Sequence, residues 1–223
     1  MLNTLAITGL GLGLELCLGL VAAVILAGRL PAQGLIRALL LIPLGVPTIV
    51  SASAMRSVFG TVGYLNEVLY RLGVIALPID WTGDRWLALL TIAAADAWKV
   101  TPMVMLILLA GLQAIPRDVY EAARVDGASR LGTYRSITLP LLRRAALIAA
   151  LINLMNVFNS FPIIWEMTGG GPGYETSTTT VFMYILKQSN IGEAGAMSVV
   201  NFGIVIVIVL AFLRASRWKS EVN

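Results

Sequence analysis

Five apolar runs constrain this chain more than any other feature. They cover residues 5–27, 35–58, 86–112, 145–165 and 194–213. Each is close to the roughly 20 residues that a helix needs to cross the hydrocarbon of a bilayer. Only helices and closed barrels satisfy every backbone group in lipid. Runs of this length predict helices, so the expected fold is an all-α integral membrane bundle of five spans in one domain, 1–223. The second run contains Pro43 and Pro47 and is expected to be kinked or broken. The first is too long for a signal-peptide core, carries Glu15 and lacks a basic leader.

Composition agrees where it is needed. Charged residues make up 13% of the chain and hydrophobic ones 58%, against about 25% charged in a soluble domain. The net charge of +4 does not point to nucleic acid, because the basic residues sit between apolar runs. The absence of histidine excludes imidazole metal sites and histidine general-base catalysis. No metal-ligand cluster or nucleophile–base pair argues for an enzyme. The single cysteine, Cys17, forms no internal disulfide and is read as a small core residue.

Basic residues set the orientation. With 117–144 placed in the cytoplasm, Arg29, Arg37, Arg117, Arg124, Arg130, Arg135, Arg143, Arg144, Arg214, Arg217 and Lys219 fall inside. Arg71, Arg85 and Lys187 fall outside, and Arg56 and Lys99 in or near the membrane. The N-terminus is then outside and the C-terminus in the cytoplasm, of a bacterial or archaeal inner membrane. A short outside N-terminus with no preceding helix predicts either a further helix upstream or a late start at Met1.

The loop at 113–144 holds a short amphipathic segment. Pro116 and Asp118 suit a helix start. Val119, Ala122, Ala123 and Val125 recur near helical spacing, and Gly127 is expected to end the helix. Two readings stand on pattern alone: a docking helix for a partner, or a helix lying on lipid headgroups.

The polar residues inside the spans are the second group of candidates, since such residues default to functional hypotheses. Asp96 and Lys99 are three apart on one helix face, able to neutralise one another. They fit either a polar face toward a substrate cavity or a structural ion pair. Asn153, Asn156 and Ser160 recur at one face of the fourth span, near Asn159. Amides suit hydroxyl-rich ligands and equally suit interhelical hydrogen bonds. Glu15 faces the bundle or a helix upstream, Arg56 snorkels near a span end, and Trp81, Trp86 and Trp165 are expected as interface anchors.

Glu121-Ala122-Ala123, then Gly127, then Ile137, then Leu139-Pro140 matches at all seven fixed positions the EAA loop of binding-protein-dependent ABC importer permeases. The resemblance extends over nearly the whole chain, from Asn3-Thr4-Leu5 to the basic tail, although the family's first helix has no counterpart. Thr168-Gly169-Gly170-Gly171-Pro172, followed by the threonines at 176–180, resembles the extracytoplasmic loop of maltose-type sugar permeases, the larger of the two permeases in such systems.

The resemblance implies that 121–140, with Asp126 beside Gly127, is a coupling helix seated in a cleft of a separate ATPase subunit. The chain itself would hydrolyse nothing and bind no cofactor, ATP and Mg being used by that partner. Implied partners are a second permease forming a heterodimer, two ATPase subunits, an extracytoplasmic solute-binding protein facing Gly169, Gly170, Gly171 and Pro172, a sugar, and membrane lipid. Asp96, Lys99, Val100 and Met103, and Asn153, Asn156, Val157 and Ser160, align with sugar-facing positions. Asn156 stands where that permease has an aromatic residue. The implied function is carbohydrate import by alternating access. A permease for glycerol phosphate or another small solute is the near alternative, and a secondary transporter or channel the distant one.

Overall fold

A computed structural model describes the backbone of residues 1–28 and 31–218 and the side chains of these as far as 214. Arg29 and Lys219, both counted on the inner side, lie outside the described residues, as does the Arg217 side chain. The described chain is helical throughout and contains no strand. α1 (Leu2–Ala27), α2 (Gln33–Gly45), α3 (Thr48–Val58), α4 (Tyr64–Arg71), α5 (Arg85–Gln113) and α6 (Arg117–Val125) form the first half. α7 (Arg130–Thr133), α8 (Leu139–Phe158), α9 (Pro162–Thr168), α10 (Thr179–Ser189) and α11 (Ile191–Trp218) form the second.

Among the described residues, four helices are long and apolar enough to cross a membrane: Leu2–Ala27, Arg85–Gln113, Arg130–Phe158 and Ile191–Arg214. A fifth passage is the pair α2–α3, bent by 98°. The bend falls where Val46 and Pro47 are extended between Pro43 and α3. Pro47 has no N–H to carry the helical ladder through, and Pro43 removes another donor one turn earlier.

α1 and α5 form the centre of the bundle, with α8 packed on both. The inward stripe of α1 is Thr4, Ile7, Thr8, Gly11, Glu15, Gly19, Ala23 and Leu26. That spacing of three and four is one helix face, and its small residues let backbones approach. Gly19 shows the need: a Cβ there would stand 2.6 Å from Val104 Cγ1 and 3.2 Å from the Met105 backbone nitrogen. Cys17 lies two positions from both Glu15 and Gly19, on the opposite face, and is exposed. The expectation of a core cysteine is therefore corrected, because an apolar run does not say which side of its helix is covered.

The apolar core has two parts. One gathers Ile7, Ala52, Leu89, Ile92, Ile163, Ile164 and Val181. The other gathers Ala23, Leu26, Val104, Leu108, Leu142 and Ala149. At about 25 cal/mol per Å² of apolar surface, this burial is the main favourable term in helix–helix packing only where water is displaced. In lipid the fit of small residues and buried polar bonds carries more of the load.

The fourth span differs from its sequence expectation at both ends. Its helix starts at Arg130, runs through a π-turn at Tyr134–Thr138 and continues as α8. In that wider turn Leu139 N–H bonds the Tyr134 carbonyl, which accommodates Pro140 and its missing donor inside the helix. At the other end the helix stops at Phe158 rather than continuing to Trp165. Asn159 Nδ2 caps the Met155 carbonyl at 2.9 Å, and Pro162 starts a separate helix, α9, as proline does at a first turn.

Candidate functional site

The loop between α5 and α8 is a rigid elbow. Gly127 has φ +74°; its N–H bonds the Arg124 carbonyl at 3.1 Å and the Ala128 N–H bonds the Ala123 carbonyl at 2.9 Å. That pair of bonds is a Schellman closure, which needs a left-handed residue in this place and favours glycine. Ser129 then caps α7, its Oγ accepting from Gly132 N at 3.1 Å. Tyr120 Oη and Thr138 Oγ1 share a hydrogen bond of 3.2 Å across the elbow.

Ala123 and Ile115 turn inward and are buried. Glu121, Ala122, Arg124 and Asp126 are exposed, and Val125 is 87% exposed. Ile137 is half-buried behind the elbow, and Leu139 and Pro140 are exposed at the start of α8. The structure thus brings the sequence-selected residues 121–140 into one projecting turn whose outer residues Glu121, Ala122, Arg124, Val125 and Asp126 are exposed.

In the middle of the bundle the sequence expectation of an Asp96–Lys99 ion pair is corrected. The described residues contain two ion pairs, Arg71–Glu67 and Arg56–Glu166, and neither involves this couple. Lys99 instead donates to the carbonyls of Pro43 at 2.8 Å, Leu44 at 3.2 Å and Val46. The bend leaves the Leu44 and Val46 carbonyls without helical donors and the Pro43 carbonyl with only a long 3.4 Å bond from Val46 N–H, so all three ammonium donors are used on the bend.

Asp96 is buried on the same helix and lies against Glu15 of α1, which is 0% exposed. Among the described residues no donor reaches Asp96 Oδ2, Glu15 Oε1 or Glu15 Oε2. Glu15 therefore faces the bundle, settling the alternative that the sequence left open.

The four aligned positions of the fourth span do not form one face. Asn153 and Val157 are buried, Asn156 is exposed, and Ser160 lies beyond the helix end, where its carbonyl accepts from Thr180 Oγ1 at 2.9 Å. Val100 and Met103 are half-buried on α5. Counting i, i+7 through Ser160 fails because α8 ends at Phe158.

The opposite end of α8 from the elbow, about 30 Å away by helical rise, is built around threonines and glycines. Gly169 and Gly170 have positive φ. Thr176 Oγ1 bonds the Gly171 carbonyl at 2.5 Å and Ser177 Oγ the Gly170 carbonyl at 3.1 Å. Thr179 N–H bonds Thr4 Oγ1 at 3.1 Å, and Asn3 joins Ser177 to Arg85. The Gly169–Pro172 turn is thereby tied to the starts of α1 and α5.

Two features of this end escaped the sequence reading. Asn66 accepts from Ile79 N and Trp81 Nε1, and donates to Thr61 and Ile79 carbonyls, fastening the segment before α5. Trp81 is consequently turned into the protein rather than anchoring at an interface. Trp165 likewise stacks on Phe161, 5.8 Å between centroids, and meets Tyr184 edge-on at 4.8 Å. Trp86 is 60% exposed, under the Arg85 guanidinium. Only the polar clustering of 60–66 and 79–84 in the sequence hinted at such a fastening.

The model of the family described as "Binding-protein-dependent transport system inner membrane component" matches residues 15–218. The trehalose/maltose transport system permease protein MalF of Thermococcus litoralis is 39% identical over 222 residues, 98% of this chain and 74% of that one. The sulfoquinovosyl glycerol transport system permease protein SmoG of Agrobacterium fabrum is 36% identical, over 97% of this chain and 71% of that one. Among solved structures, a bacterial ABC transporter involved in import of the acidic polysaccharide alginate superposes with a TM-score of 0.85 at 22% identity, covering 96% of this chain and 77% of that chain. The last likeness is one of fold. The projecting elbow with its Schellman glycine, the bundle of apolar helices and the matched family model lead to one conclusion: the chain belongs to the inner membrane components of binding-protein-dependent transport systems.

Proposed function

We propose that this chain is one permease subunit of an ATP-driven importer for a carbohydrate, forming half of the pathway with a second permease. The observation that carries the reading is the exposed elbow of α6, with the Glu121-Ala122-Ala123…Gly127 spacing held in a fixed shape. A helix that only lay on lipid would turn its apolar residues outward together; here Ala123 packs inward while Glu121 and Val125 project. A separate ATPase subunit would receive this turn, and closure of the ATPase pair on ATP and Mg would push it.

The push passes into α8 through the π-turn without a break, and α8 is packed on α1 and α5. Tilting of these helices would open the pathway by turns to either side. The elbow would lie in the cytoplasm and the Gly169–Pro172 turn outside, facing a solute-binding protein. Sugar as cargo is supported by relatives named for trehalose, maltose and sulfoquinovosyl glycerol transport, and by a solved alginate importer bound to its periplasmic protein.

Copurification and uptake test the reading together. With a second permease and ATPase co-expressed, the double variant Glu121→Lys, Gly127→Pro is expected to lose the ATPase on affinity purification and to abolish sugar uptake. Retention of both would defeat the proposal and favour a transporter that needs no ATPase.

A further inference from the structure

A cavity of about 330 Å³ opens beside the Gly169–Pro172 turn, lined by Arg56 of α3, Thr82, and Trp165, Glu166, Thr168 and Gly171 of the α9 region. Its volume is at the small end of ligand pockets, which run from about 300 Å³. Its polar groups are only partly used. Arg56 and Glu166 approach to 3.7 Å, too far for a hydrogen bond. The guanidinium therefore keeps its five donors, and no hydrogen bond to Arg56 or to the Trp165 indole N–H occurs among the described residues. Glu166 Oε1 accepts from Ser53 Oγ at 3.0 Å, which leaves Oε2 open.

The charges decide what such a cavity favours. A lone guanidinium would select an anion and a lone carboxylate a cation. Held 3.7 Å apart they compensate at long range, while each still offers hydrogen bonds at short range. Donors and acceptors side by side suit vicinal hydroxyls, which present both. The indole adds an apolar edge and one more donor. A phosphate or a carboxylate would gain from Arg56 and lose to Glu166.

We infer that this cavity is a subsite for one ring of a neutral, polyhydroxylated ligand, held by Arg56 and Glu166 at the outer end of the bundle. It is separate from the mid-span positions of α5 and α8, and it rests on the reading of the chain as a carbohydrate permease. A sugar released at this end would be held here before passing inward.

The test uses the complete transporter, this chain with its second permease and ATPases, in nanodiscs without binding protein or ATP. Equilibrium binding of radiolabelled trehalose, maltose, sucrose and glucose is measured. At least one should bind saturably, and Arg56→Gln and Glu166→Gln should each weaken it about tenfold, the value of one good polar contact. Trp165→Phe, which keeps a ring and loses the N–H, should weaken it less. Arg71→Gln, which breaks the other surface ion pair, should leave it unchanged. Arg56 is exposed and Glu166 half-buried, and intact assembly of both variants is checked by gel filtration.

Saturable binding by none of the four sugars, or binding indifferent to both cavity variants, overturns the subsite. Tighter binding of glucuronate than of glucose overturns its neutral preference. If the wild-type transporter with its binding protein accumulates no sugar, the import reading itself fails. If it accumulates sugar and the cavity variants alter neither binding nor the KM of uptake, only the subsite fails.

Discussion

The elbow at 117–140 and the polar centre at Glu15, Asp96 and Lys99 are both made of residues that break local rules, yet they are built in opposite ways. The elbow closes on itself: glycine and serine bonds link neighbours in sequence, the Tyr120–Thr138 bond joins its two arms 18 residues apart, and its outer surface is exposed. The centre is assembled from α1, α2 and α5, residues more than fifty positions apart, and its surface is entirely covered. A turn that must fit a partner can be specified locally. A charge in a membrane bundle has to be specified by everything packed around it.

The strongest way to break this contrast is at Lys99. Lys99→Met leaves the Leu44 and Val46 carbonyls without donors and the Pro43 carbonyl with only its 3.4 Å bond from Val46 N–H, and each orphan taken from water costs about 1–3 kcal/mol. The expected result is a loss of several kcal/mol of stability, read as a large drop in thermal midpoint in nanodiscs, with partial recovery in Lys99→Arg. A midpoint unchanged in Lys99→Met would mean the bend stands without its clamp.

Next comes Gly19→Val. The extra carbons run into Val104 and the α5 backbone, so overpacking of about 1–3 kcal/mol is expected by the same measurement. Gly127→Ala should be smaller still. Holding alanine at φ +74° costs about 1 kcal/mol, enough to weaken ATPase association about fivefold in a pull-down titration while leaving the thermal midpoint of the bundle nearly unchanged. That separation of readouts would sharpen the contrast, because it places the elbow outside the cooperative core. Smallest of all is Asn156→Ala, at an exposed position, with a stability change within about 0.5 kcal/mol. Asn153→Ala, at a buried one, should exceed it.

What could be read in the sequence follows the same division. The apolar helical make-up, with four long helices and a bent pair, the break at Pro43–Pro47 and the Gly127 helix end all rest on local chemistry, and each stands in the structure. Cys17 was misplaced because hydrophobicity without period does not orient a helix. Ser160 was placed on a helix that had already ended, because Asn159 and Pro162 stop it more firmly than the apolar run continues it. The Lys99 clamp was out of reach: nothing near Lys99 in sequence says that the carbonyls of 43–46 will come to it. Asn66 is similar, its four partners being gathered by a fold rather than a motif.

The unbroken passage from Arg130 to Phe158 has a mechanical consequence. Twenty-nine residues of continuous helix make a strut about 43 Å long, with the elbow rooted at one end and the Ser160 break, leading to α9 and the cavity, at the other. A stiff strut converts a small swing at its foot into a comparable shift at its head without storing it as bending. The hinge is then the short stretch 159–161, where the chain leaves the strut, and that is the place where force arriving from one side of the molecule would become motion on the other.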